Sequence, residues 1–252
     1  MEMNDDQLLR YSRHILLPAV GVEGQARIAA ASVLVVGAGG LGCPVALYLG
    51  AAGIGRLRVA DGDRVDLTNL QRQIGHTMSS IGDNKALSLA RSVRAINPDI
   101  DVEPVPEALM GDALHAAVAG VDLVVDASDS FATRHAVNRA CVALGKPLVS
   151  GAAIGFSGQL AVFDSRLPAS PCYHCLFPDQ AGEPELRCAE AGVFSPLVGV
   201  VGAMQATEAL KYLAGVGAPR IGSLLLWDAL QADARTVKLR RDPACPVCGS
   251  AG

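Results

Sequence analysis

A glycine-rich turn followed 19 residues later by an acid constrains this chain's fold more than any other feature. The apolar run Ser32–Val36 enters Gly37-Ala38-Gly39-Gly40-Leu41-Gly42. Helix-compatible residues Cys43–Leu49 follow, and a second run, Leu57–Ala60, ends in Asp61. Strand, glycine loop, helix, strand and carboxylate in that order describe a mononucleotide-binding α/β unit. Glycines let the backbone turn tightly and approach a phosphate, the helix N-terminus favours negative charge, and the acid is placed to hold a ribose hydroxyl. Gly37, Gly39, Gly40, Gly42 and Asp61 are therefore candidate nucleotide ligands, the plain alternative for Asp61 being a solvated strand end.

The alternation continues downstream. Helical periodicity over 83–96, with Asp83 or Asn84 as cap, precedes a strand at 101–105, a helix at 112–119 and a strand at 121–126. A helix at 130–144, capped by Asp129 or Ser130, then leads to a strand at 147–150. Before the first strand, 8–13 and 24–31 read as short helices. Such a pattern calls for a doubly wound, mainly parallel Rossmann-like α/β sheet. Residues 159–164 and 223–227 predict antiparallel strands extending it, 180–192 a polar loop and 195–213 a long helix. The expectation is one domain over 1–252, its nucleotide-binding half at about 30–150 and a second half at about 151–252.

Half of the 252 residues are apolar, only 18% are charged, and the mean hydropathy is +0.32. That supply of apolar surface fits a large core or a buried oligomer interface. A net charge of −4 argues against nucleic acid or an anionic membrane as partner. Residues 1–10 carry three acids and no apolar core, and the longest apolar stretch, 196–204, runs into Gln205 and Glu208. Neither a signal peptide nor a membrane span is expected, and the chain reads as cytoplasmic. Its seven cysteines are then metal ligands, reactive thiols or core residues rather than disulfides.

Four of them form two C-x-x-C clips, Cys172-Tyr-His-Cys175 and Cys245-Pro-Val-Cys248. Two intervening residues let both thiolates of a clip face one tetrahedral Zn²⁺. Four sulfurs close the metal's shell, so the expected site is structural and ties the second clip back onto the body, a redox pair being the alternative. Near the glycine loop, Arg72 and Lys85 offer cations for phosphate. Asp129 offers a carboxylate for Mg²⁺, or a helix cap. Arg13 lies outside the nucleotide unit and by itself reads as surface charge.

Together these stretches resemble the MoeB/ThiF family, bacterial relatives of ubiquitin-activating enzymes. The matching segments are Leu9–His14, Gly37–Cys43, Asp61–Gln73, Lys85, Asp126–Asp129, Ser150–Ala153, both clips and Ala189–Val193. The resemblance implies an adenylyltransferase that uses ATP with Mg²⁺ to activate the C-terminal glycine of a ubiquitin-like sulfur carrier ending in Gly-Gly, releasing pyrophosphate. It implies that Gly40 and its neighbours contact ATP and that Asp61 holds the ribose. Asn69, Arg72 and Lys85 would bind phosphates, within a nucleotide-binding stretch that includes Leu70, Gln71 and Gln73. Asp129, with Ser130 beside it, would bind Mg²⁺, and Arg13 would reach the γ-phosphate of the partner subunit's ATP in a homodimer. The second half, about 151–252, would then bind the carrier and the zinc.

Ser150–Ile154 and the placement of the clips favour the molybdopterin-pathway branch of the resemblance, with the thiamine branch as the alternative. The sequence stops four residues past Cys248, which implies a sulfurtransferase on a separate protein. Cys188, in the polar loop beside Arg187, aligns with the thiol that thiamine-type members link to the carrier; a surface thiol without a role is the other reading. Cys43 and Cys141 fall on apolar helix faces and read as core. An NAD-dependent oxidoreductase fits the glycine loop equally well, but not the cation and acid set around it. The same set argues against an inactive docking scaffold, and the acidic charge balance against a tRNA-modifying relative.

Overall fold

An Asn4 cap opens the chain in the computed structural model, which describes residues 3–179 and 192–249. Asn4 accepts from the Gln7 N–H while the Gln7 side chain accepts from the Asn4 N–H, starting α1 (Asp5–Arg10). The single helix expected over 8–13 is split at Tyr11, and α2 (Ser12–Ile15) follows. Tyr11 is buried against the backbone of Gly53, where a Cβ would lie 2.3 Å from its ring. Its hydroxyl accepts from Asn97 Nδ2 at 2.9 Å. Anchoring that ring sets the break, which local propensity does not show. Helix α3 (Gly21–Ala30) completes the N-terminal segment.

Five parallel strands come next, each linked to the following one by a helix, except that a long polar segment also precedes α5. They are β1 (Ser32–Val36), α4 (Gly42–Ala51), β2 (Arg56–Ala60), α5 (Lys85–Ile96), β3 (Asp101–Val105), α6 (Gly111–Ala119), β4 (Leu123–Asp126), α7 (Phe131–Ala143) and β5 (Leu148–Ile154). Three antiparallel strands extend the sheet: β6 (Ser157–Phe163), β7 (Ser223–Asp228) and β8 (Asp233–Lys238). The short α8 (Tyr173–Leu176) and the long α9 (Ser195–Ala214) lie between β6 and β7. Strand order is β3-β2-β1-β4-β5-β6-β7-β8, the doubly wound arrangement expected. The connections reverse direction between β1 and β4, which opens a crevice at the carboxyl ends of those strands.

Core lies on both faces of the parallel half. Val33 and Val35 pack with α4, α5 and α9, whereas Leu34 and Val36 pack with α6 and α7. Burial on both faces is why β1 and β4 read as unbroken apolar runs. Strand β5 continues four residues past the expected end, through Gly151–Ile154, because full pairing with β6 carries small residues that have little strand preference of their own. Strand β8 was not expected at all. All six of its residues are exposed, so it leaves no apolar alternation to read.

Candidate active site and metal centre

The glycine loop is shaped by what crowds it. Gly37 has φ +100, and a Cβ there would lie 2.7 Å from the Ala127 carbonyl oxygen. A Cβ on Gly42 would lie 1.8 Å from the Gly37 oxygen, so only glycine closes this turn. Asp61 clasps the loop across the crevice. One carboxylate oxygen accepts from the Ala38 N–H at 2.7 Å and the other from the Asp63 N–H at 2.8 Å. Burial pushes the Asp61 carboxyl up, against these two donors and nearby Lys85, which hold it down.

A cavity of about 210 Å³ occupies the β1/β4 crevice. Of the residues singled out from sequence, Gly37, Gly39, Gly40, Asp61, Arg72, Gln73, Lys85 and Asp129 line it. Lys85 opens α5 behind an Asn84 cap, is 7% exposed, and pairs with Asp63 at 2.8 Å. Arg72 is anchored by its Nη1 donating to the Thr68 carbonyl at 3.1 Å. Ser130, not Asp129, caps α7, accepting from the Thr133 N–H. The exposed Asp129 carboxylate is thereby left facing the cavity, with no bond to any described side chain or backbone group.

Six expected residues stand outside the lining. Gly42 serves the turn and Ser130 the cap. The Asn69 carbonyl accepts from Arg72 and Gln73 N–H groups at 3.1 and 3.0 Å, Leu70 closes the same turn, and the Gln71 carbonyl accepts from Ser195 Oγ. These three shape the segment that carries Arg72. Arg13 sits exposed on α2, away from the cavity and without a partner among the described residues.

Two charged lining residues carry no signal in the sequence. Asp63 sits in the polar stretch after β2, where its charge reads as solvated surface. Arg134 lies one helical turn beyond the Ser130 cap and reads as an ordinary helix-surface charge. It is nevertheless 7% exposed, donating to the Gly151 and Ser128 carbonyls at 3.0 and 2.6 Å with Asp126 at 3.9 Å. Asp126 in turn accepts from Ser128 and Ser150, so the floor of the cavity is a closed polar network.

The four clip cysteines converge on one point. Their sulfurs all lie within 4.8 Å of one another, with 3.9 Å from Cys172 to Cys175, 3.7 Å from Cys172 to Cys245 and 3.4 Å from Cys175 to Cys248. Tetrahedral zinc with bonds of about 2.3 Å spaces its sulfurs about 3.8 Å apart, so the donor set fits that ion. One cluster of four thiols is not the arrangement of two independent redox pairs. Asn138 on α7 supports the first clip by accepting from the Tyr173 N–H at 2.9 Å. Cys43 and Cys141 are buried core residues, and burial pushes the Cys43 thiol up to about 12. Cys188 lies outside the described residues.

Comparison with known proteins fits this geometry. The ThiF family matches residues 11–247. The chain belongs to the ThiF family. A Thermus thermophilus relative, sulfur carrier protein adenylyltransferase, is 50% identical over 99% of this chain and 93% of its own length. The Escherichia coli sulfur carrier protein ThiS adenylyltransferase is 46% identical over 98% and 97%. The mouse adenylyltransferase and sulfurtransferase MOCS3 is 47% identical over 98% of this chain and 54% of that one. Kinship of this extent makes this ThiF-family chain a nucleotidyltransferase. Among solved structures, E. coli MccB with ATP superposes with TM-score 0.83 at 23% identity, over 98% of this chain and 75% of that one, a likeness of fold. Among the described residues no helix is long and apolar enough to cross a membrane.

Proposed function

We propose that the chain adenylates the C-terminal glycine of a ubiquitin-like sulfur carrier ending in Gly-Gly, using ATP with Mg²⁺ and releasing pyrophosphate. The observation that carries this reading is the meeting of Arg72, Lys85 and Asp129 with the glycine loop and Asp61 in one cavity. Each Asp61 oxygen keeps a lone pair after its backbone bond, enough to accept from ribose hydroxyls. Arg72 and Lys85 supply positive charge to the phosphates beside Gly37, Gly39 and Gly40. Asp129 would hold Mg²⁺, which when bound adds positive charge at the phosphate oxygens.

A carboxylate is already ionised at pH 7, so its attack on the α-phosphorus needs no general base. A carboxylate–phosphorus bond forms as the bond to pyrophosphate breaks. What the step requires is charge stabilisation on the phosphates and the leaving group, which these side chains are arranged to give. The expected assay is carrier-dependent ATP–pyrophosphate exchange. Asp129→Ala and Arg72→Ala should each lower it by about 10²-fold or more with folding kept. Full exchange in the Asp129 variant sinks the assignment.

The thiolate cluster is proposed as a structural Zn²⁺ site, one ion per chain. We also infer a homodimer in which Arg13 completes the partner subunit's site. Arg13, exposed and without a partner among the described residues, and the apolar Leu9, Leu16 and Leu17 near it in sequence (76, 68 and 52% exposed) support this. Mixing inactive Arg13→Ala and Asp129→Ala subunits should restore exchange, since one site per heterodimer regains both groups. Absence of rescue, with subunit exchange demonstrated, refutes the shared site. For pathway, Ser150–Ile154 and the clips favour a molybdopterin-type carrier, while the ThiS-specific relative favours a thiamine-type one. Exchange measured with each carrier decides between them.

A further inference from the structure

Behind the glycine loop lies a buried imidazole that is not part of the cavity lining. His76 is 6% exposed and follows Arg72 by four residues. Its Nε2 is 2.9 Å from the Ala38 carbonyl oxygen and its Nδ1 is 2.9 Å from Ser88 Oγ. A carbonyl only accepts, so Nε2 carries the proton, and in the neutral ring Nδ1 accepts from the Ser88 hydroxyl. Burial pushes the imidazole below its usual range. The Ala38 carbonyl and Asp61 oppose that shift, while Lys85 and Arg91 add to it.

Ala38, the second residue of the glycine loop, is thus held on both sides. Its N–H donates to Asp61 at 2.7 Å, and its carbonyl accepts from His76 and, at 3.5 Å, from the Cys43 thiol. Ser88 lies three residues beyond Lys85 on α5, on the same helix face. The backbone N–H of His76 donates to the Gln73 carbonyl at 3.1 Å, so the ring projects from the end of the segment that carries Arg72. Three elements therefore meet at this residue: the Arg72 segment through its backbone, and the glycine loop and the start of α5 with Lys85 through its ring. Glycine-rich backbone costs more entropy to hold in one conformation than any other. A misplacement of about 1 Å at such a site costs up to about 10²-fold, so the groups behind the loop matter.

We propose that His76 is a positioning residue for the nucleotide's phosphates, locking the glycine loop, the Arg72 segment and the α5 N-terminus into one register through Ala38 and Ser88. This rests on the nucleotide reading above. The test uses the full chain and measures the Mg-ATP dissociation constant, the KM and kcat of pyrophosphate exchange, and Tm. His76→Leu keeps the bulk and removes the donor. It should weaken ATP binding about 10- to 100-fold and raise KM more than it lowers kcat at saturating ATP. His76→Gln can return an N–H to the Ala38 carbonyl and should recover affinity to within about threefold of the natural chain. A residue that served packing alone would lower Tm in both variants and leave ATP affinity unchanged well below Tm. ATP affinity within twofold of the natural chain in folded His76→Leu overturns the proposal, as does His76→Gln binding no better than His76→Leu. Where His76→Leu does not fold, Ser88→Ala carries the test. About threefold or greater weakening supports the proposal, and unchanged affinity overturns it. A natural chain that binds no ATP overturns the nucleotide reading and this proposal with it, whereas natural binding with unweakened variants overturns this proposal alone.

Discussion

In the parallel half of the sheet, β4 buries all four of its residues and β1 four of five, with helices covering both faces. In the antiparallel half, β8 buries none of its six, and beyond it Cys245 and Cys248 come together with the clip that follows β6 in the chain. The two regions share one sheet but hold together differently. The first is kept by apolar area on two faces, which needs no special chemistry. The second has little apolar surface to bury at its edge, and the structure gathers four thiols beside Val142 and Val247. The difference also places function. Loops that converge at the end of a rigid parallel sheet can hold charged groups at set distances, and the cavity forms there.

The largest effect expected from this contrast is in the weakly packed half. Cys248→Ser should abolish zinc binding at the proposed site and lower Tm by about 10 °C or more, while ATP affinity stays within about threefold. Metal analysis and calorimetry read the first outcome and nucleotide titration the second. Equal losses of stability and affinity would erase the distinction between the halves. An intermediate effect is expected at the turn. Gly42→Ala forces a Cβ against the Gly37 carbonyl and should cost about 1–3 kcal/mol of stability, with ATP binding weakened about tenfold or more. Unchanged ATP binding there would mean that the loop's shape does not set the site.

The sharpest comparison pairs two core tests. Leu34→Ala, at a fully buried position of β1, should cost about 2–5 kcal/mol in chemical denaturation. Val237→Ala, 45% exposed on β8, should cost no more than about 0.5 kcal/mol, the smallest effect of the set. A large loss at Val237 would mean that the edge strand is covered by another molecule.

Much of the site was legible in sequence because its residue types are rare in combination. The turn Gly37–Gly42 before a helix, Asp61 at a strand end and two C-x-x-C clips each restrict the chemistry, and their spacings are local. The roles of neighbours were not legible. Asp129 and Ser130 are both good caps by chemistry, and sequence alone cannot choose between them. In the fold Ser130 takes the Thr133 N–H, and the Asp129 carboxylate is left to the cavity. Arg134 and His76 went unnoticed because a helix arginine and a loop histidine usually face solvent, and only the packed structure buries them.

The sequence by itself determined the strand and helix order of the parallel half, the glycine turn, and which thiols pair by spacing, because apolar period and short-range sterics act within a few residues. Tertiary structure decided that two clips 70 residues apart share one cluster and that β5 runs on through Ile154. It also decided that β8 exists, and that a single histidine joins three elements behind the phosphate loop. Those outcomes depend on which groups meet across the sheet. That meeting is set by long-range pairing and by the need to satisfy buried polar atoms, neither of which leaves a mark in local sequence.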